Sequence, residues 1–144
     1  MVICVDTSFL FAIYGTDVHT PVALDWLHKQ EQALTLSSLN EFELCNALRL
    51  AEFRRLLPSG GAEQYWAQFE QDRQNGLMMV QACNLSQVVN LAKNLSQTHT
   101  VAKGYRSFDI LHVASALQFG ASCFLTFDRN QQDLDRAEGL SVPL

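Results

Sequence analysis

Apolar and polar positions follow two different periods along the chain. Four short runs are apolar and are predicted as strands: residues 2–5 (VICV), 33–36 (ALTL), 77–80 (LMMV) and 123–127 (CFLTF). Between them, apolar residues recur at three- and four-residue spacing, which is typical of helices that cover a sheet. Parallel strands need crossover connections of this kind. We therefore predict an α/β fold, with a central, mostly parallel β-sheet of four to five strands flanked by helices on both faces.

Capping and breaking residues set the predicted ends of the helices. A brief helical turn follows the first strand and closes at Gly15, and Thr20-Pro21 begins a helix to about residue 32. Ser38 and Glu41 have the spacing of a capping box at the start of the next helix. The remaining helices are predicted over about 38–57, 62–75, 86–96 and 109–119, with a last one ending at about 138. Residues 98–107 (THTVAKGYRS) are predicted as a loop.

Length and composition restrict the class of protein. The chain has 144 residues, of which 48% are hydrophobic and 17% charged, so we predict one domain over residues 1–144. It has no apolar run of membrane-spanning length and no secretory leader, which predicts a cytoplasmic protein without a membrane partner. The four cysteines form no C-x-x-C pair and are interpreted as free thiols. The net charge of −5 argues against coating of nucleic acid by bulk charge, but an acidic metal site would reverse the local field.

Four acidic residues follow or precede predicted strands. Asp6 and Asp128 come after the first and fourth strands, and Glu43 lies near the start of the helix after the second. Asp109 begins the helix that leads into the fourth strand. Ligands of parallel sheets bind beyond the carboxyl ends of the strands, so we expect the acids to share that edge. Each also has an ordinary explanation: a helix cap for Asp6 or Asp109, a turn for Asp128, and solvent exposure for Glu43.

Close carboxylates would need a compensating cation. Two of them about 4 Å apart repel by roughly 4 kcal/mol at an effective dielectric near 20. An all-oxygen set favours Mg²⁺ or Mn²⁺ over Zn²⁺, and a metal-bound water can attack a phosphodiester. Only one of Glu41 and Glu43 can face such a site, because they are two residues apart on a helix. The capping box takes Glu41 and leaves Glu43.

Four segments together resemble the PIN-domain ribonucleases, and among these the VapC-type toxins of toxin–antitoxin pairs. They are VICVDTSFL, SSLNEFELCNAL, RSFDILHVASAL and FLTFD, in this order and spanning nearly the whole chain. The resemblance implies a PIN-like domain that cleaves single-stranded or loop RNA with one or two Mg²⁺ or Mn²⁺ ions. It assigns metal binding and catalysis to Asp6, Glu43, Asp109 and Asp128, the last either directly or through water.

Further residues are assigned weaker parts in the same site. The residues expected to orient acids or substrate are Thr7, Ser8, Asn46, His112 and Thr126. The hydroxyls have capping as an alternative, and His112 has a purely structural one. The arginines expected to contact RNA phosphates are Arg49, Arg106 and Arg129, with an exposed, solvated surface as the alternative.

The resemblance also implies partners, and two other functions remain open. PIN toxins of this type form homodimers and bind an antitoxin, and the aromatic helix with Tyr65, Trp66 and Phe69 offers apolar surface for an interface or for the core. The first alternative is an inactive PIN-like module that binds RNA or protein. The second is an aspartate-based phosphatase or phosphotransfer domain, which normally has a second aspartate where Ser8 stands.

Overall fold

The sheet has four strands, all parallel. The computed structural model describes residues 1–144, and its strands are β1 (Ile3–Val5), β2 (Leu34–Ser37), β3 (Met78–Gln81) and β4 (Cys123–Leu125). They lie in the order β3-β2-β1-β4, with every neighbouring pair parallel. The predicted α/β fold with a parallel sheet is confirmed. None of the helices is both long and apolar enough to span a lipid bilayer.

Helices cover both faces of this sheet, as predicted. They are α1 (Thr7–Tyr14), α2 (Thr20–His28), α3 (Ser38–Phe53), α4 (Gly61–Gln74), α5 (Leu85–Lys103), α6 (Ser107–Gln118) and α7 (Arg129–Ala137). Side chains of a strand alternate between faces, so Ile3 and Val5 pack into a core with α1 to α4, whereas Cys4 packs into a second core with α5 to α7. The two cores hold the strand ends rigidly in place.

The order of the strands creates a crevice between β1 and β4. The chain proceeds outward from β1 through β2 to β3 and then returns to the opposite side of β1 for β4. Val5 is paired in register with Leu125, and the Asp6 amide donates to the Leu125 carbonyl at 3.1 Å. This reversal of direction is the position at which parallel α/β sheets place their ligands. The residues after Val5 and Leu125 therefore lie at the edge where a site is expected.

Several local predictions were wrong. Helices α2 and α3 end about four residues earlier than predicted, at His28 and Phe53. The predicted loop 98–107 is helical as far as Lys103, because α5 packs along α6 and ends only at Gly104, which has the left-handed φ of 70°. The start of α3 is capped by Ser37 and not by Ser38: the Ser37 hydroxyl accepts from the Asn40 amide at 3.2 Å. Ser38 already has helical geometry, so no capping box forms with Glu41.

Candidate active site

The acidic residues and their partners form two groups. The strand side follows β1 and β4 and consists of Asp6, Ser8, Thr126 and Asp128. The helix side comes from α3, α6 and the residue before α6, and consists of Glu43, Asp109, His112 and Arg106.

On the strand side, neutral donors hold Asp6. The carboxylate is buried and caps α1, accepting at Oδ1 from the Phe9 amide at 3.0 Å and from the Ser8 hydroxyl at 2.6 Å. Its Oδ2 accepts from the Thr126 hydroxyl at 2.6 Å. Burial raises the pKa of Asp6, although these hydrogen bonds and the nearby His112 act in the opposite direction. Both carboxylate oxygens are thus already bound by the chain.

Thr126 connects the two strand ends. Its fully buried hydroxyl also accepts from the Asp128 amide at 3.0 Å. Asp128 in turn caps α7, since its Oδ1 accepts from the amides of Asn130 at 2.9 Å and Gln131 at 3.1 Å. The capping expected as the ordinary explanation for Asp6 and Asp128 is therefore present at both, together with their placement at one edge.

On the helix side, Glu43 is held by a buried histidine. His112 is almost fully buried, and its Nε2 donates to Glu43 Oε1 at 3.2 Å. Burial alone would raise the pKa of Glu43, but hydrogen bonds from His112 and Thr7, with the charges of His112 and Arg106, outweigh it and lower the pKa. Glu41 lies away from this pair, 3.8 Å from Arg73.

Arg106 is the shared cation of the edge. Its Nε donates to Asp109 Oδ2 at 3.0 Å, and its Nη2 lies 3.5 Å from Asp128 Oδ2. The bond and charge of Asp109 raise the pKa of Arg106, and the charges of Asp128 and Glu43 add to this. Asp109 lies within the first turn of α6 and does not cap it, because the cap position is Arg106 itself. One guanidinium, 77% exposed, is thus shared between Asp109 and Asp128.

A cleft of about 430 Å³ opens on the helix side. It is lined by Thr7, Glu43, Ala47, Arg106, Ser107, Phe108 and Asp109. Asp128 reaches this group through Arg106, whereas Asp6 is buried and does not line the cleft. The structure therefore brings two predicted acids and one predicted arginine to a common cleft and places the other two acids at the adjoining strand ends.

Three of the predicted residues lie elsewhere or have no partner. Asn46 is exposed and makes no side-chain hydrogen bond. Arg49 is turned toward α4, where it is 3.3 Å from Glu63 and lies over the Trp66 ring at 5.9 Å. Arg129 begins α7 beside Asp128, is exposed and has no ion pair.

The oxygen atoms of this edge are the ligands that a hard divalent ion prefers, but they do not surround a common position for one. The carboxylates of the edge supply only oxygen, the ligand that Mg²⁺ and Mn²⁺ prefer. The four cysteines are free, and Cys4 and Cys123 are buried in the cores. As the side chains are placed, no three acids, histidines or cysteines converge closely enough to hold a metal ion. Asp109 and Asp128 are instead paired with Arg106, and Glu43 is hydrogen-bonded to His112.

Sequence reasoning missed a buried polar pair on α7. Gln131 and Asp135 are fully buried, and burial, followed by the charges of Asp6 and Asp109, raises the pKa of Asp135 to about 8 despite a hydrogen bond from Gln131. The signal was available, because residues 131, 134 and 135 follow the i, i+3, i+4 spacing of an inward-facing stripe. It was overlooked because two of the three are polar.

Comparison with known proteins places the chain among PIN domains. The model of the PIN domain family matches residues 3–137. Among curated proteins, no sequence matches the chain significantly.

Solved structures share the fold at low sequence identity. The VapC20 toxin of Mycobacterium tuberculosis, described as cleaving the sarcin–ricin loop, is 18% identical, with a TM-score of 0.67 over 91% of this chain and 93% of that one. VapBC2 of Rickettsia felis, solved with a DNA fragment from its promoter, is 15% identical, with a TM-score of 0.67 over 99% and 97%. FitAcB of Neisseria gonorrhoeae is 15% identical, with a TM-score of 0.62 over 98% and 96%. At this identity the likeness establishes the fold.

Proposed function

The chain belongs to the PIN domain family, and from that premise we propose that it is a divalent-metal-dependent endoribonuclease, the toxin of a type II toxin–antitoxin pair. The structures that share its fold include a toxin described as cleaving the sarcin–ricin loop of RNA. The proposal includes one PIN-like domain over residues 1–144 and a cytoplasmic location.

The observation that carries the proposal is the position of the acids. Asp6 and Asp128 follow the strands at the point where the sheet order reverses, and Glu43 and Asp109 line the cleft beside them. RNA is polyanionic, so an acidic cleft can accept it only with cations present. The exposed Arg106 at the rim is the chain's own cation for a phosphate oxygen.

The residues that would hold Mg²⁺ or Mn²⁺ are Asp6, Glu43, Asp109 and Asp128. Such an ion supplies activation of water and stabilisation of charge on the phosphate. Binding requires Arg106 to release Asp109 and Asp128, which its exposure permits. It also requires the acids to close inward from their present spacing. On this proposal the freed guanidinium then contacts the RNA backbone.

The test is cleavage of total cellular RNA by the purified chain, with Mn²⁺ or with EDTA, followed by mapping of the cut ends. We expect cleavage with Mn²⁺ only. Asp109→Asn should reduce the rate by roughly a hundredfold or more, the scale on which one preorganised charged group contributes. Asp25→Asn serves as the matched control, because Asp25 is an exposed acid of α2 paired only with Lys29. Equal rates for wild type and Asp109→Asn would refute the proposal.

A PIN-like binding module without activity is the second candidate. It is favoured by one observation: each acid of the edge already has a donor within the chain, and no three of them converge. This candidate predicts RNA binding that is unaffected by EDTA, with no cleavage in Mn²⁺. The same assay therefore separates the two.

An aspartate-based phosphotransfer reaction is disfavoured by the environment of Asp6. Such enzymes normally have a second aspartate two residues after the nucleophile. Here Ser8 stands at that position and donates to Asp6 Oδ1 at 2.6 Å.

A homodimer and an antitoxin complete the proposal, and exposed apolar side chains support them. The aromatic helix α4 is used mainly for the core, since Phe69 is fully buried and Tyr65 and Trp66 pack against it. The exposed apolar residues are on α3 and just beyond it: Phe42, Phe53 and Leu56 are 62%, 83% and 71% exposed. Apolar surface of this kind on a monomer is typical of a protein interface.

A further inference from the structure

Helix α7 buries two polar side chains that are only half satisfied. Asp135 and Gln131 lie one turn apart and are both fully buried, and Gln131 Nε2 donates to Asp135 Oδ1 at 3.2 Å. The other carboxyl oxygen, Asp135 Oδ2, and the amide oxygen, Gln131 Oε1, are both buried without a hydrogen-bond donor. Two unpaired acceptors on one contacting pair of side chains need an explanation, because buried polar atoms are nearly always bonded.

One proton on the Asp135 carboxyl would give both unpaired oxygens a hydrogen bond. A protonated carboxyl has one O–H donor, and a primary amide offers both a donor and an acceptor. The amide can therefore donate to one carboxyl oxygen while the other carboxyl oxygen donates back to the amide oxygen. We propose that Asp135 is a neutral carboxylic acid in the folded protein, that it forms this reciprocal pair with Gln131, and that the pair positions Asp128 at the acidic edge.

The surroundings of Asp135 supply no buried cation. The titratable and charged groups that face it are the Asp6 carboxylate and Cys4 thiol from the β1 region, the Cys123 thiol of β4, Asp109 of α6, Tyr105 before α6, and Arg136 of α7. Arg136 is the one cation among them, and it is half exposed. An ionised carboxylate in this position would be desolvated and repelled by the charges of Asp6 and Asp109, and both effects oppose ionisation.

The raised pKa of Asp135, about 8, agrees with this geometry. Burial is its largest cause, and the charges of Asp6 and Asp109 act in the same direction, against the Gln131 hydrogen bond and Arg136. At neutral pH the group is therefore mostly protonated. When it is neutral, Asp135 also adds no further negative charge near the acids of the edge.

The pair acts on the edge through the backbone of Gln131. The amide of this residue donates to Asp128 Oδ1 at 3.1 Å, while Asp128 Oδ2 faces Arg106 at 3.5 Å. Because the Gln131 side chain is enclosed and paired, the backbone N–H of Gln131 is held in one direction in the first turn of α7. Asp135 is accordingly a positioning residue for Asp128, whether or not the chain cleaves RNA.

The direct test is a pH titration of the Asp135 side-chain carboxyl carbon by NMR in the wild-type chain. We expect a midpoint near 8, against the ordinary value of 3.8. A midpoint near the ordinary value would show an ionised Asp135 at neutral pH and overturn the proposal. This measurement needs no variant and does not depend on activity.

Variants test the pair and its effect on Asp128. Asp135→Asn keeps a reciprocal pair at every pH. The wild-type fold retains a proton that the unfolded chain releases above about pH 4, so its stability falls relative to the variant from there to about pH 8. The melting temperature of Asp135→Asn minus that of wild type should therefore grow over this range and then level off. A difference that stays constant would contradict the proposal.

Asp135→Leu removes the pair. We expect the Gln131 amide to exchange with solvent roughly tenfold faster than in wild type or in Asp135→Asn, since local opening of the first turn becomes easier. Asp133→Asn, at an exposed position of the same helix, is the control and should change neither amide exchange nor the pH dependence. Unchanged exchange in a folded Asp135→Leu would show that the pair does not position Asp128.

Discussion

The strand side and the helix side of the acidic edge stabilise their carboxylates with different kinds of donor. On the strand side, Asp6 is buried and bound by hydroxyls and a backbone amide. On the helix side, Asp109 and Glu43 are bound by an exposed arginine and a buried histidine. The strand-side donors are a backbone amide and two short hydroxyl side chains held beside the paired strands, whereas an exposed guanidinium can turn away into solvent.

This difference indicates where a ligand can enter. The strand side is fixed once β1 and β4 are paired, since its donors lie shortly after these strands, at Thr126 and in the first turns of α1 and α7. The helix side can exchange Arg106 for another cation at little cost to the fold, because exposed ion pairs contribute weakly. If the comparison is right, removing one strand-side donor should destabilise the protein much more than removing the arginine.

The largest effect is expected for Thr126→Val. It has nearly the same shape but leaves an oxygen of buried Asp6 and the Asp128 amide without partners. We expect a loss of about 2–4 kcal/mol in the free energy of unfolding, as for two unsatisfied buried groups. Thr126→Ser keeps the hydroxyl and is the control, and urea denaturation measures both. If Thr126→Val lowered the free energy of unfolding less than Thr126→Ser, the strand side would not be a rigid element.

An intermediate effect is expected for His112→Leu, which removes the donor to Glu43. Glu43 is about one-third exposed, so water replaces part of the lost bond and we expect a loss of about 1–2 kcal/mol. Because folding lowers the pKa of Glu43, the pair of His112 and Glu43 stabilises the folded protein above the unfolded-state pKa of about 4.3. This contribution is lost as the pH falls from there through the folded-state pKa. The difference from wild type in denaturation should therefore narrow in acid. His112→Gln, which retains a donor, tests whether the bond or the ring matters.

The smallest effect on stability is expected for Arg106→Gln, below about 1 kcal/mol. The same change should tighten Mn²⁺ binding severalfold in calorimetry, because Asp109 and Asp128 lose a competing cation. Arg129→Gln removes an exposed arginine that is not paired with these acids and provides the control for net charge. Weaker Mn²⁺ binding in Arg106→Gln alone would mean that the guanidinium organises the acids and does not compete with the ion.

Much of the fold could be predicted because its elements have strong local signals. The buried strands are short apolar runs, and α6 has an uninterrupted inward stripe from Ile110 to Leu117. The end of α5 could not, because Thr98 to Val101 are polar or β-branched. Tertiary contacts hold this segment instead: α5 packs along α6, and His99 is hydrogen-bonded to Glu138 at 2.6 Å. Adjacent serines at 37 and 38 likewise leave the cap of α3 ambiguous until backbone geometry decides it.

The site could be predicted in its location but not in its charge balance. The position of Asp6 and Asp128 after two strands predicted to be parallel was sufficient to place them at one edge. The use of Arg106 as a counterion depends on a side-chain rotamer and on tertiary distance, which no spacing rule gives. Asp135 was missed because it is a polar residue within an inward-facing stripe, and its raised pKa depends on the burial of its surroundings.

The hydrogen bond from Thr126 to Asp6 joins residues 120 positions apart. During synthesis Asp6 therefore emerges from the ribosome long before the threonine that will orient it, and β1 waits for the strand that must insert beside it. A nascent chain carries the first acids of the edge without their arrangement. The order of translation thus delays assembly of the site until β4 has been made.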